Sequence, residues 1–203
     1  MKIICIGRNY SKHIKEMNSD KPENPVFFLK ADSCILDRNR PFYVPDFSNN
    51  LHYEAEIVLR ICKVGKHIPL KFAHRYYNAY TIGIDFTARD LQDKCKEKGL
   101  PWEVSKSFDK SANIGKYLPI SDSDKLSNLN FRLEKNGQVV QQANTDEMIF
   151  SFEEVISYIS SFMTLKMGDI IFTGTPNGVG SVSPGDILEG YIDDKLILST
   201  KIL

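Results

Sequence analysis

Short runs of β-branched and aromatic residues dominate the chain and predict a fold rich in β structure. These runs cover residues 2–6, 25–29, 51–61, 80–86, 130–134, 138–142, 169–173, 187–192 and 196–202. Asn136-Gly137 separates two of them and predicts a tight type I′ hairpin, because both central residues of that turn need a positive φ.

Helices are fewer in this pattern. Ser151 and Glu154 are spaced as a capping box, and apolar residues at helical spacing follow them up to Phe162. A second helix is predicted over residues 88–98, ended by Gly99, and a short one over 11–17. Strands and helices do not alternate regularly, so we expect one α+β, β-rich domain over residues 1–203, with a rolled or sandwiched sheet.

Composition excludes several classes of partner. Lys plus Arg and Asp plus Glu both number 26, so no basic field exists to hold nucleic acid or an anionic membrane. No apolar stretch approaches the roughly 20 residues of a membrane span. The four cysteines are widely separated, which suits reduced thiols and predicts a cytoplasmic protein.

Residues 52–61 combine an apolar and an acidic strand face. Tyr53, Ala55 and Ile57 would point one way, while Glu54 and Glu56 would point the other way side by side. Such paired carboxylates repel each other without a cation, and their oxygens suit Mg²⁺, Mn²⁺ or Ca²⁺. The ordinary alternative is a solvated strand face.

Asp85 is a third acidic candidate, because it interrupts an otherwise apolar strand. A buried aspartate needs a metal, an arginine or a helix N-terminus as its partner. If a helix begins near Asp85, Arg89 and Gln92 share its face. The alternative is that Asp85 caps this helix and that Arg89 forms a surface ion pair.

Three further segments carry candidate chemistry. Lys106 could hold a substrate carboxylate, and the glycine-rich loop around Thr175 could cradle an anion. His13 and Glu16 lie three residues apart on a short helix, where the carboxylate could orient the imidazole as a general base. Taken singly, each is also explained as a solvated lysine, an ordinary loop or a surface ion pair.

Together these segments resemble the fumarylacetoacetate hydrolase family, most closely its small acylpyruvase and oxaloacetate decarboxylase branch. The resemblance covers nearly the whole chain. It is carried by the motifs Gly7-Arg8-Asn9-Tyr10, Glu54-x-Glu56, Asp85-Phe86-Thr87-Ala88-Arg89-Asp90-Leu91-Gln92, Gly99-Leu100-Pro101-Trp102, Lys106-Ser107-Phe108 and Thr173-Gly174-Thr175-Pro176-x-Gly178-Val179-Gly180.

The resemblance implies a mixed β-sandwich roll, a homodimer, and one Mg²⁺ or Mn²⁺ per site, with Ca²⁺ as a substitute. By matching positions, the metal ligands are Glu54, Glu56 and Asp85. Substrate contacts are Arg8, Lys30, Arg89, Gln92, Lys106 and Thr175. His13 and Glu16 match a catalytic pair on a mobile lid, and Lys106 joins them in catalysis.

The reaction expected from the sequence is metal-dependent hydrolysis of an acylpyruvate to pyruvate and a carboxylic acid. Decarboxylation of oxaloacetate, or enol–keto tautomerisation or isomerisation of a 2-oxo dioate such as 2-hydroxyhepta-2,4-diene-1,7-dioate, would use the same site. A non-enzymatic interaction module is the alternative from another class. The loop over residues 30–47 and the neighbourhood of Trp102 are expected to set substrate length.

Overall fold

The computed structural model describes residues 1–36, 40–121 and 126–203. The strands in these ranges are β1 Ile3–Gly7, β2 Val26–Lys30, β3 Ile35–Leu36, β4 Leu51–Tyr53, β5 Ala55–Ile61, β6 Tyr77–Asp85, β7 Thr87–Ala88, β8 Ala112–Ile114, β9 Leu118–Pro119, β10 Asn130–Lys135, β11 Gln138–Asn144, β12 Ile170–Phe172, β13 Gly180–Ser181, β14 Ile187–Ile192 and β15 Lys195–Lys201. The helices are α1 Ser11–Glu16, α2 Arg89–Lys98, α3 Glu103–Lys106 and α4 Phe152–Phe162. Short 3₁₀ turns lie at Asp32–Cys34, Leu70–Arg75, Leu126–Asn128 and Thr145–Glu147.

An eight-stranded mixed sheet forms the centre of the molecule, in the order β2-β1-β12-β5-β6-β8-β3 with β9 beside β6. A four-stranded antiparallel sheet, β11-β10-β14-β15, packs against β6. The two sheets approach closely at Gly190, where an added Cβ would lie 3.0 Å from Ile82 Cγ2. This architecture confirms the predicted α+β, β-rich class. No helix within the described ranges is long and apolar enough to cross a lipid bilayer.

Glu54 lies where the chain passes from one sheet to another. The sequence predicted one strand over 51–61, but the structure has β4 and β5, separated at Glu54. β4 pairs with β7 and β13 in a small three-stranded sheet, whereas β5 pairs with β6 and β12. The alternation of side chains along the sequence does not reveal this break. The residues on its two sides, Tyr53, Ala55 and Ile57, are all buried, as the apolar face of one continuous strand would be.

The helix after β6 begins later than a helix capped by Asp85 would begin. Asp85 is the last residue of β6, and Thr87 and Ala88 pair with β4, so these residues are held in extended backbone. α2 therefore starts at Arg89, and the interpretation of Asp85 as its cap is wrong. Its predicted end is confirmed, because Gly99 has a φ of 63° in the left-handed region.

Two other local predictions are confirmed. Asn136 and Gly137 have φ values of 53° and 76° in the turn between β10 and β11. At the start of α4, the Glu154 N–H donates to Ser151 Oγ at 3.3 Å, and the Ser151 N–H donates to the Glu154 carboxylate at 2.7 Å. α3 was missed because four residues are too few to show a helical period.

Asn9 joins the turn after β1 to two distant segments. Its buried Nδ2 donates to the carbonyls of Phe150 at 3.1 Å and Thr173 at 2.8 Å, and its Oδ1 accepts from the Phe150 N–H at 2.8 Å. These bonds hold a turn in which Arg8 has a φ of 61°, a strained conformation for a residue other than glycine. Gly174 completes the junction, because an added Cβ would lie 2.6 Å from Asn9 Cβ.

Replacing Asn9 should destabilise the whole fold. Asn9→Ala removes the side-chain partner of one buried and two half-buried backbone groups, so we expect the free energy of unfolding to fall by about 2–4 kcal/mol in urea titrations. The control is Asn130→Ala, which changes an exposed asparagine and should cost less than about 0.5 kcal/mol. Equal losses in the two variants would contradict the role given to Asn9.

Candidate functional site

Three carboxylates meet where β5 begins and β6 ends. Glu54, Glu56 and Asp85 each offer an oxygen within 4.8 Å of the other two, and all three are buried. The pairing of the strands explains this convergence, because Glu56 lies opposite Gly83 and the Asp85 N–H donates to the Glu54 carbonyl at 2.8 Å. The solvated-face interpretation of Glu54 and Glu56 is therefore wrong.

Cations from three other segments surround two of these carboxylates. Lys106 Nζ lies 2.7 Å from Glu54 Oε2 and 2.8 Å from Asp85 Oδ2. Arg89 pairs with Glu54, and Lys30 Nζ lies 2.7 Å from Asp85 Oδ1. The interpretation of Arg89 as a surface pair is wrong, since its contact with Glu54 is buried.

These contacts shift the ionisation of the groups they join. Burial alone would raise the pKa of Glu54, but the charges of Lys106 and Arg89 hold it below the usual value. Burial alone would lower the pKa of Lys106, yet Asp85 and Glu54 raise it. Glu54 and Lys106 are therefore held as an ion pair.

Glu56 is the exception in this cluster. Its Oε2 accepts the Gly174 N–H at 2.6 Å, and within the described ranges it has no ion pair. Burial and the nearby Asp85 carboxylate raise its pKa well above the usual value. A divalent cation would neutralise this charge, and a set of three carboxylates is the hard oxygen donor set of Mg²⁺, Mn²⁺ or Ca²⁺. The residues thus fit a metal of this class.

α1 closes one side of the site. His13 is buried, and its Nδ1 lies 3.0 Å from Glu16 Oε2. Glu16 Oε1 accepts the Gly178 N–H at 2.9 Å, and Lys12 pairs with Glu147 at 2.6 Å. Glu16 therefore orients the imidazole and ties α1 to the glycine-rich loop.

The cavity between these elements has a volume of about 40 Å³. Most of the residues predicted from the sequence line it: Arg8, His13, Glu54, Glu56, Asp85, Arg89, Gln92, Lys106 and Thr175. Lys30 lies behind Asp85, and Glu16 lies behind His13. The catalytic and substrate-binding roles assigned to these residues stay predictions.

Sequence reasoning missed some of the cavity wall. Lys96 lines the cavity, and its position seven residues after Arg89 is a helical signal that could have identified it. Gln141 comes from the second sheet and carried no local signal. Its Nε2 donates to Thr175 Oγ1 at 2.9 Å, and its Oε1 accepts the Ala55 N–H at 2.9 Å.

The structure describes part of the region that is expected to set substrate length. Trp102 lines the cavity beside Phe28, with ring centroids 5.9 Å apart. Residues 37–39, which belong to the loop over 30–47, lie outside the described residues. Ile14 and Met17 of the α1 region add to the apolar wall and were not predicted.

Comparisons with known proteins agree with this geometry. Residues 2–202 match the family model described as fumarylacetoacetate (FAA) hydrolase C-terminal. The chain is 40% identical over 200 residues to oxaloacetate tautomerase FAHD1, mitochondrial, of Bos taurus, covering 98% of this chain and 90% of that protein. It is 42% identical over 189 residues to the mitochondrial oxaloacetate decarboxylase of Dictyostelium discoideum, covering 93% and 87%. The crystal structure of fumarylpyruvate hydrolase from Pseudomonas aeruginosa in complex with Mn²⁺ and pyruvate is similar, with a TM-score of 0.95, 38% identity, and coverage of 100% and 89%.

Removing the charge of Glu56 should stabilise the metal-free protein. The raised pKa means that this fold loses stability as the pH rises above the usual carboxyl value of 4.5, and glutamine cannot ionise. In EDTA at pH 8 we expect Glu56→Gln to melt higher than wild type, by roughly 2–4 °C per kcal/mol recovered.

Added MgCl₂ should raise the melting temperature of wild type by mass action and leave Glu56→Gln unchanged. Glu97→Gln, an exposed change on α2, is the control and should behave as wild type in both conditions. A lower melting temperature for Glu56→Gln in EDTA, or equal stabilisation of both proteins by MgCl₂, would refute this view of Glu56.

Proposed function

The chain belongs to the fumarylacetoacetate hydrolase family, and we propose that it is a divalent-metal-dependent enzyme that interconverts the enol and keto forms of oxaloacetate. The observation that supports this proposal is the buried carboxylate cluster, with Glu56 uncompensated, in the same small cavity as His13. Relatives at 40% identity that carry the name oxaloacetate tautomerase support the choice of reaction.

Charge balance at the site suits a dianionic ligand. Lys30, Arg89 and Lys106 set three positive charges against three carboxylates, although all three pair with Glu54 or Asp85 and none with Glu56, so a divalent cation beside Glu56 gives the site two further positive charges. The carboxylate and the ionised enol oxygen of a 2-oxo acid would neutralise both charges. A bound Mg²⁺ or Mn²⁺ supplies Lewis-acid stabilisation of charge on these oxygens.

The cavity-lining polar groups have hydrogen atoms to donate to such a ligand. Gln92 Oε1 already accepts from Arg89 Nη1 at 2.5 Å, which leaves its amide N–H groups for a substrate oxygen. Thr175 Oγ1 accepts from Gln141, which leaves its hydroxyl hydrogen for a substrate carboxylate. Lys106 keeps a fixed positive charge beside them.

His13 performs the proton transfer in this proposal. The contact of Nδ1 with Glu16 leaves Nε2 as the nitrogen that faces the reaction. Nε2 takes the proton of the enol hydroxyl and then gives it to the carbon next to the keto group, and in the reverse direction it takes a proton from this carbon and returns it to the oxygen. The buried position of His13 excludes bulk water from this exchange.

Hydrolysis of an acylpyruvate, the reaction expected from the sequence, is the second candidate. The His13–Glu16 pair could activate a water molecule, and the similar structure from Pseudomonas aeruginosa is a fumarylpyruvate hydrolase. The homodimer and the cytoplasmic location stay predictions, and the relatives named above are mitochondrial.

The reaction is tested by three assays in parallel, each with MgCl₂ and with EDTA. Decay of oxaloacetate enol absorbance measures tautomerisation, and pyruvate release from oxaloacetate and from acetylpyruvate measures decarboxylation and hydrolysis. We expect magnesium-dependent enol decay to be the fastest of the three. Faster release of pyruvate from acetylpyruvate would establish the second candidate, and faster release from oxaloacetate would establish a decarboxylase.

His13→Ala should lose the proton transfer and keep the metal. We expect kcat for tautomerisation to fall by about 10²- to 10⁴-fold, the usual contribution of a general acid–base group. The rise in melting temperature on adding MgCl₂ should match that of wild type. Lys15→Ala, an exposed change on the same helix, should keep full activity. Unchanged kcat in His13→Ala would remove the role proposed for this residue.

A further inference from the structure

Two cations that line the cavity are not neutralised by the protein. Arg8 and Lys96 have neither an ion pair nor a hydrogen bond from their side chains within residues 1–36, 40–121 and 126–203. Arg89 and Lys106, by contrast, are both engaged with Glu54. The cavity therefore has positive charge that is not paired with the carboxylate cluster.

Helix α2 places Lys96 at a defined distance from this cluster. Arg89, Gln92 and Lys96 are spaced at i, i+3 and i+7, so they lie on one face of the helix, and all three line the cavity. At about 1.5 Å per residue, Lys96 lies about 10 Å along the axis from Arg89, which contacts Glu54. Lys96 is exposed and so marks the mouth of the cavity.

The surroundings of Lys96 favour an anion at this position. Phe28 and Trp102 line the same cavity and provide no negative charge. Partial burial, followed by the positive charge of Arg89, lowers the pKa of the Lys96 ammonium, and the carboxylates of Asp93 and Glu54 offset only part of this shift. An incoming carboxylate would relieve both effects at once.

We propose that Lys96 binds the second carboxylate of a four-carbon 2-oxo dioate, so that the site selects dioates over mono-acids of the same length. This inference rests on the proposed function, which places the first carboxylate and the keto oxygen at the Glu54–Glu56–Asp85 cluster. Three carbon–carbon bonds of about 1.5 Å join the two carboxylate carbons, so the second carboxylate lies about 4 Å from the first, in the direction of the mouth. The flexible stem of Lys96 spans the remaining distance.

Trp102 provides a direct measurement of binding. It is the one tryptophan of the chain and it lines the cavity, so its fluorescence reports on ligands there. The ligands are oxaloacetate and 2-oxobutanoate, which have four carbons each. The distal carbon is a carboxylate in oxaloacetate and a methyl group in 2-oxobutanoate. Titrations on the magnesium-loaded protein are read by stopped flow within milliseconds, before decarboxylation consumes oxaloacetate.

Four variants isolate the contribution of Lys96. We expect wild type to bind oxaloacetate at least about tenfold more tightly than 2-oxobutanoate, as a charge-assisted hydrogen bond allows. Lys96→Met should remove this preference and leave the Kd of 2-oxobutanoate within about twofold. Lys96→Arg should retain most of it. Lys94→Met, an exposed change on the same helix, should leave it in place, and Arg8→Gln, at the other unneutralised cation, should keep the ratio of the two Kd values whatever it does to each of them.

Any of three results would overturn the assignment. The first is equal binding of both ligands by wild type, the second is a preference that survives in Lys96→Met, and the third is a preference that disappears in Arg8→Gln alone. Because binding is read before decarboxylation and does not require tautomerisation, the proposed function can fail separately. A protein that prefers oxaloacetate through Lys96 but does not tautomerise it would keep this inference and lose the reaction.

Discussion

The site depends on placing three carboxylates within 4.8 Å of one another in the interior of the protein. Like charges at such separations repel strongly when water is excluded, and a buried charge is stable only with a partner. Lys30 from β2, Arg89 from α2 and Lys106 from α3 provide those partners. Their elements have to pack against β5 and β6 in one arrangement, so the electrostatic requirement links distant parts of the fold.

The loops around the cluster are constrained for a related reason. Asn9 joins the turn after β1 to the segment containing Thr173 and Gly174, and the Gly174 N–H holds Glu56. Glu16 connects α1 to the glycine-rich loop, because it contacts both His13 and the Gly178 N–H. Two backbone amides of the glycine-rich loop therefore hold Glu56 and Glu16, which links the position of α1 to the geometry of the cluster.

Helix α2 connects this chemistry to the choice of substrate. Its first turn provides Arg89 to the carboxylates, the next provides Gln92 to the cavity, and the following one brings Lys96 to the mouth. One rigid element thus sets the distance between the metal candidates and the proposed second anion site.

Local chemistry in the sequence was sufficient to predict the β-rich class, the Asn136-Gly137 hairpin, the cap at Ser151 and the acidic candidates, because turns, caps and strand alternation depend on neighbouring residues. The break at Glu54, the place of Asp85 at the end of β6 instead of at the cap of α2, and the pairing of Lys30 with Asp85 were decided only by the tertiary structure. Strand partners and charge partners come from residues far apart in the chain, as with Lys106 and Glu54 or Gln141 and Thr175. Periodicity carries no information about which distant segment will pack against a strand, so these contacts appear only when the sheets assemble.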